Sequence, residues 1–128
     1  MKAISYILVL SSFSLFYCKG NPKHNYIEKG VASYYHSSLD GGLTSSGQVY
    51  REDSLTAAHL WLPFGTEVQV IDVETKKKID VTINDRGPFV KGRIIDLSRS
   101  AADSLGILSK GISEVIIKAY LPSYETRK

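Results

Sequence analysis

Lys78-Ile79-Asp80-Val81-Thr82-Ile83-Asn84-Asp85-Arg86-Gly87-Pro88-Phe89 is the stretch on which the fold turns. Ile79, Val81 and Ile83 alternate with Asp80, Thr82 and Asn84, the period of a half-buried strand. Asp85 continues the apolar face if the strand persists, and Arg86 then points the other way. The alternative is that residues 84–88 are only a turn, with Asp85 bonding backbone amides, a common use of aspartate. Working outward, Glu74 to Lys77 make a polar turn, and Thr66 to Val73 form the strand before it. Its apolar positions change phase, from Val68 and Val70 to Ile71 and Val73, which suggests a bulge or burial on both faces. Val31 to Tyr35 reads as an earlier strand, Ile94 to Leu97 as a later one, and Val115 to Tyr120 as the closing strand. Between the last two, Ser98 can cap a helix through Ala101, Ala102 and Leu105 that stops at Gly106. Short strands with one or two short helices point to a mainly β chain closed into a small barrel.

The chain has 128 residues, enough for one domain. Lys2 is followed by an uncharged apolar run from Ala3 to Tyr17. That run is shorter than the ~20 residues of a membrane-spanning helix, and residues 1–17 fit a secretory signal peptide. Cys18 is the only cysteine, so no intramolecular disulfide can form. Leu15-Phe16-Tyr17-Cys18 resembles a bacterial lipobox, in which the cysteine is acylated and becomes the mature N-terminus. Tyr17 departs from that pattern, because the position is normally small, and ordinary cleavage after Gly20 is the alternative. Residues 18–28, mostly polar with Gly20 and Pro22, read as a tether. The domain is expected over 29–121, with 122–128 as a polar tail. The formal net charge of +3 is mild and suits a polyanionic partner. Lys76-Lys77-Lys78 reads as a solvated turn rather than a nucleic-acid patch. No His-Glu-x-x-His, phosphate-binding glycine loop or paired cysteines occur, so no metal, cofactor or nucleic acid is expected. A monomer is expected.

Four blocks then appear in order. They are Leu55-Thr56-Ala57-Ala58-His59, Leu62-Pro63-Phe64-Gly65-Thr66, Asn84-Asp85-Arg86-Gly87-Pro88-Phe89 and Gly92-Arg93-Ile94-Ile95-Asp96-Leu97-Ser98. Together they resemble the rare lipoprotein A family over roughly residues 30–120. The resemblance implies a six-stranded double-psi β-barrel, the fold of barwin and expansins. It also implies a lytic transglycosylase that cuts peptidoglycan glycan strands to 1,6-anhydro products. Such a protein would be exported and held at the membrane by a lipid anchor, facing the periplasm or cell envelope. A non-catalytic peptidoglycan-binding lipoprotein and an expansin-like wall loosener are the alternatives.

Cleaving a glycosidic bond needs an acid to protonate the leaving oxygen. In a lytic transglycosylase the sugar's own C6 hydroxyl attacks C1, so one carboxyl can give a proton and then take one. Asp85 is the candidate. A free aspartate has a pKa of about 3.9, so Asp85 is expected to be desolvated. By the same resemblance His59 is a second catalytic residue, holding Asp85 or a sugar hydroxyl. Read from its own segment alone, His59 is a structural histidine. Tyr35, Thr44, Gln48 and Arg86 are the substrate-binding candidates. Tyr34 and Trp61 could offer flat faces to sugar rings, and Arg93 could pair with a muramyl carboxylate. Gly41, Gly47 and Gly87 read as backbone positions. The chain departs from the family at Gln48, where a glutamate of the proposed catalytic set is expected. Glu52 and Asp53 lie close enough in sequence to substitute. If Cys18 carries the anchor, Cys18→Ala should move the protein from the membrane to the soluble fraction on cell fractionation, since two acyl chains hold where one does not. A soluble, unmodified wild-type protein beginning at Asn21 would be the opposite result.

Overall fold

The computed structural model describes residues 24–122. The signal segment, Cys18, most of the expected tether and nearly all of the tail lie outside the described residues. The elements run β1 (Tyr26–Tyr34), a 3-10 turn (Ser37–Leu39), β2 (Thr56–Ala58), β3 (Glu67–Asp72), β4 (Lys78–Asp85), β5 (Arg93–Leu97), α1 (Arg99–Leu105) and β6 (Ser113–Ala119). The six strands close into a barrel in the order β1-β5-β2-β4-β3-β6. β1 with β5 and β2 with β4 are parallel, and the other four pairings are antiparallel. The expected β-barrel with one or two short helical pieces is therefore the fold found.

The barrel interior is filled by the alternating side chains that the sequence displays. Val68, Val70, Val81, Ile83, Ile95 and Ile117 are buried in one core. The phase change after Val70 is burial on both faces and not a bulge, because β3 keeps an unbroken register with β4 and β6 while Ile71 and Asp72 are buried on successive positions. α1 begins and ends where expected. Ser98 accepts from the Ala101 amide at 3.2 Å, and Gly106 takes the left-handed conformation with φ 80°.

Two elements differ from the sequence reading. β1 starts at Tyr26, inside the stretch read as tether, and pairs along β6 from Tyr26 opposite Ala119. The reason is visible in its burial: exposed Ile27 lies on the outside while Tyr26 and Glu28 face inward, so apolar alternation gives the wrong face. Asn25 then clasps the other end of the domain, donating to the Leu121 carbonyl at 2.8 Å and accepting from its amide at 2.7 Å. β2 is the other difference. Three residues, two of them alanine, carry no strand signature, yet β2 lies between β4 and β5 with Ala57 and Ala58 buried.

The turn between β3 and β4 is held by a buried carboxylate. Asp72 Oδ1 accepts from the amides of Glu74 at 3.0 Å and Thr75 at 2.9 Å, and Oδ2 accepts from Ser113 Oγ of β6 at 2.6 Å. Burial alone would raise its pKa, but the hydrogen bonds from Ser113, Thr75 and Glu74 together outweigh it and hold the carboxyl below its ordinary value. Asp72 therefore contributes stability that is present above the unfolded pKa of about 3.9 and is lost as pH falls through its lowered folded value. Asp72→Asn should cost about 1.5–3 kcal/mol in urea melts at neutral pH, the scale of hydrogen bonds to a charged group. The deficit should shrink as the pH is taken down through that range.

Candidate functional site

β4 persists to Asp85, and the competing turn is there too, in its hydrogen bonds. Three segments deliver donors to this one carboxylate. Tyr35, directly after β1, donates its hydroxyl to Oδ2. The Ser45 amide donates to Oδ1 at 2.8 Å and the Arg86 amide at 2.9 Å. Burial raises the pKa of Asp85, but the bonds from Tyr35, Ser45 and Arg86 together outweigh it and bring it below the ordinary carboxylate value. This corrects the expectation that desolvation keeps Asp85 protonated: the group is half-buried yet ionised at neutral pH. Tyr35 moves the other way. Burial first, then its bond to Asp85 and the charges of Asp85 and Asp96, raise the phenol, so it remains a donor. Its ring stands edge-on to buried Tyr50 at 4.5 Å.

Ser45 lies on a small hairpin closed by the Leu43–Val49 bridge. Thr44 is buried in it, with its hydroxyl donating to the Gln48 carbonyl at 2.6 Å. It shapes the hairpin through that bond. Gln48 is exposed, and its side-chain oxygen accepts from Asn84 Nδ2 at 3.3 Å. The amide thus touches the residue before Asp85 rather than Asp85. Gly41, Gly47 and Gly87 all have positive φ, as backbone positions should.

His59 is buried, and its ring does not reach Asp85. Nδ1 accepts from the amides of Trp61 at 3.2 Å and Leu62 at 3.1 Å, so the ring proton sits on Nε2, which lies 3.5 Å from Glu28 Oε1. Burial lowers its pKa, and Arg86 adds to this; Glu28 opposes them without reversing the shift. In this structure the His59 ring is held by backbone amides on one side and by Glu28 on the other. His59 supports Asp85 through its backbone, donating its amide to the Asp85 carbonyl at 3.2 Å. Arg86 is a clamp on the same loop. Its Nη1 donates to the carbonyls of Leu62 at 2.8 Å and His59 at 3.2 Å, and its guanidinium stacks 4.0 Å over Phe64. Tyr34 is likewise committed, donating to the Leu108 carbonyl at 2.7 Å. Trp61 is exposed and edge-on to Tyr26 at 5.0 Å.

The sequence reading left Asp96 without a role. It lies on β5, half-buried, and accepts from Ser33 Oγ of β1. Burial, with a smaller push from the charge of Asp85, raises its pKa against the opposing effects of Ser33 and Arg93. The available signal was an acidic residue inside the otherwise apolar run Ile94-Ile95-Asp96-Leu97. Exposed apolar side chains occur on the segments that adjoin the two carboxyls: Leu43 and Val49 on the hairpin of Ser45, and Phe89 and Val90 after the cis Gly87–Pro88 peptide.

Residues 27–117 match the model of a family described as lytic transglycolase. Two similar proteins are each called endolytic peptidoglycan transglycosylase RlpA. That of Pasteurella multocida is 48% identical over 93 residues, covering 73% of this chain and 32% of the relative. That of Haemophilus influenzae is 47% identical over 100 residues, covering 78% and 35%. The match thus spans about a third of those relatives' length. Among solved structures, a Streptomyces papain inhibitor superposes with a TM-score of 0.62 at 22% identity, over 77% of this chain and 98% of its own. The expansin of Clavibacter michiganensis superposes with a TM-score of 0.61 at 20% identity, over 76% and 52%. These two likenesses concern the fold, the double-psi barrel.

Proposed function

We propose, on the premise that this chain belongs to the lytic transglycolase family, that it cleaves the glycan strands of peptidoglycan and leaves 1,6-anhydro ends. The observation that carries the reading is Asp85. It is an ionised, half-buried carboxylate at the end of β4, fixed by donors from Tyr35, Ser45 and Arg86, with exposed apolar side chains on the adjoining segments. Being ionised, the group is free to accept a proton, and the attacking C6 hydroxyl has one to give. Apolar side chains suit the faces of sugar rings, while a few fixed polar groups orient them. In the same reading the chain is exported, acts as a monomer, and is anchored at the cell envelope through Cys18.

A second reading is favoured by Gln48. An amide there hydrogen-bonds but does not exchange protons near neutral pH, so the chain could bind glycan without cutting it. Isolated sacculi separate the two, with released products weighed for 1,6-anhydro ends. Asp85→Asn should lower release by ~10² or more, the scale of general acid–base catalysis, with an unchanged circular dichroism spectrum. Equal activity in wild type and variant would remove Asp85 from the mechanism.

Gln48→Glu puts a carboxylate on the hairpin that donates to Asp85. It should raise turnover with little change in sacculus affinity, a gain made mainly in the transition state. If wild type and Gln48→Glu both bind sacculi and neither releases anhydro ends, the binding protein replaces the enzyme.

A further inference from the structure

Two irregularities in the barrel point at the same place. In the β2–β4 ladder Ala57 lies opposite Ile83, so a regular register would set Ala58 opposite Asn84. The register shifts there, and Ala58 faces Asp85 instead. In the β1–β5 ladder Val31 lies opposite Arg93, and a shift before Ala32 brings Ser33 opposite Asp96. Ala58 also pairs with Asp96 across the antiparallel β2–β5 ladder. Residues directly opposite share a face of the sheet. Asp85, Ala58 and Asp96 therefore form one row across three strands, with an alanine between two carboxyls. Bulges of this kind re-aim side chains beside active sites.

Two strand spacings put the flanking Cα atoms about 10 Å apart, and the alanine between them is buried. Gly87 of the loop after β4 packs onto the row: a Cβ on it would stand 3.7 Å from Asp96 Oδ2 and 3.9 Å from the Ala58 Cβ. Carboxyl pairs that work on glycosidic bonds are separated by roughly 5–9.5 Å, a range that two aspartates leaning over an alanine can meet.

We propose that Asp96 is the second catalytic carboxyl of this site, giving its proton to the leaving sugar oxygen while Asp85 takes the proton of the attacking C6 hydroxyl. The inference rests on the transglycosylase reading. The C1–O4 bond breaks and the C1–O6 bond forms. One proton leaves Asp96 for O4, and one passes from the C6 hydroxyl to Asp85. Water is not consumed and nothing is oxidised. The pair is reset when the proton on Asp85 exchanges through solvent back to Asp96. The groups facing Asp96 are Ser33 of β1, Arg93 of its own strand and Asp85 of β4; those facing Asp85 are Tyr35, the amides of Ser45 and Arg86, and Asp96. Burial and the charge of Asp85 favour a proton on Asp96, and the donors on Asp85 keep the proton off it. Environments that push two pKa values apart are how one site holds both an acid and a base.

Carboxyl carbon NMR titration of the folded chain tests the assignment without turnover. Asp96 should titrate above Asp85, in two steps belonging to the coupled pair, and Asp85→Asn should lower the Asp96 step by removing a neighbouring charge. Coincident titration, or the reverse order, would overturn the proposal. Release of anhydro ends gives the second readout. Asp96→Asn should reduce it by ~10² or more, and full activity in a folded Asp96→Asn overturns the proposal while leaving the transglycosylase reading intact. Should Asp96→Asn fail to fold, Ser33→Ala decides. It removes a bond that stabilises the Asp96 carboxylate, so the alkaline limb of the pH–rate profile should move to higher pH, and an unmoved limb counts against Asp96. A wild-type chain that binds sacculi and releases no anhydro ends overturns the parent reading, and this one with it.

Discussion

The insertion of Thr56–Ala58 between β4 and β5 is the constraint from which the rest of the molecule follows. Three residues bridge the strands that carry Asp85 and Asp96, and the barrel closes through them. Closure removes the exposed edges that an open sheet would leave on either side. A small side chain at Ala57 and Ala58 suits this place, because both are buried. Ala58 also stands between the two acidic residues in the ladder, so one small residue serves both closure and the spacing of the acids.

The polar groups around the two acids divide their work by what each can reach. His59 and Arg86 carry the charges and ring nitrogens usually sought in catalysis, yet both are spent on the backbone of residues 59–62. Their effect on the site is to fix the loop beside the end of β4. The hairpin at 43–49 acts similarly, with Thr44 holding its shape while the Ser45 amide reaches Asp85. Asp85 is thus restrained from several directions before any substrate arrives, and restraint of this kind avoids reorganisation during the reaction.

Asp72 and Asp85 show one physical rule at two ends of the barrel. Each is penalised by burial, and each is kept ionised by several donors. One closes a turn and the other ends β4. Asp96 has Ser33 as its hydrogen-bond partner, and burial moves its pKa up. Donor number against desolvation, more than residue type, sets the three apart.

Much of the barrel was legible in the sequence because period-two alternation reports burial on one face. Ile79, Val81 and Ile83 fixed β4, and Ser98 with Gly106 bounded α1. The motif blocks also pointed to Asp85. Alternation said nothing of β2, whose alanines have no face to show, and misjudged β1, where Tyr26 and Glu28 turn inward and Ile27 outward. The partners of Thr44, Arg86 and Asp96 were beyond reach for a different reason. Hydrogen-bond partners and register shifts join residues far apart in the chain, such as Ser33 with Asp96 and Tyr35 with Asp85. The sequence by itself determined which residues could be strands and which acids were present. Only tertiary structure decided which way each acid's pKa moves, because that depends on burial and on donors brought from other strands.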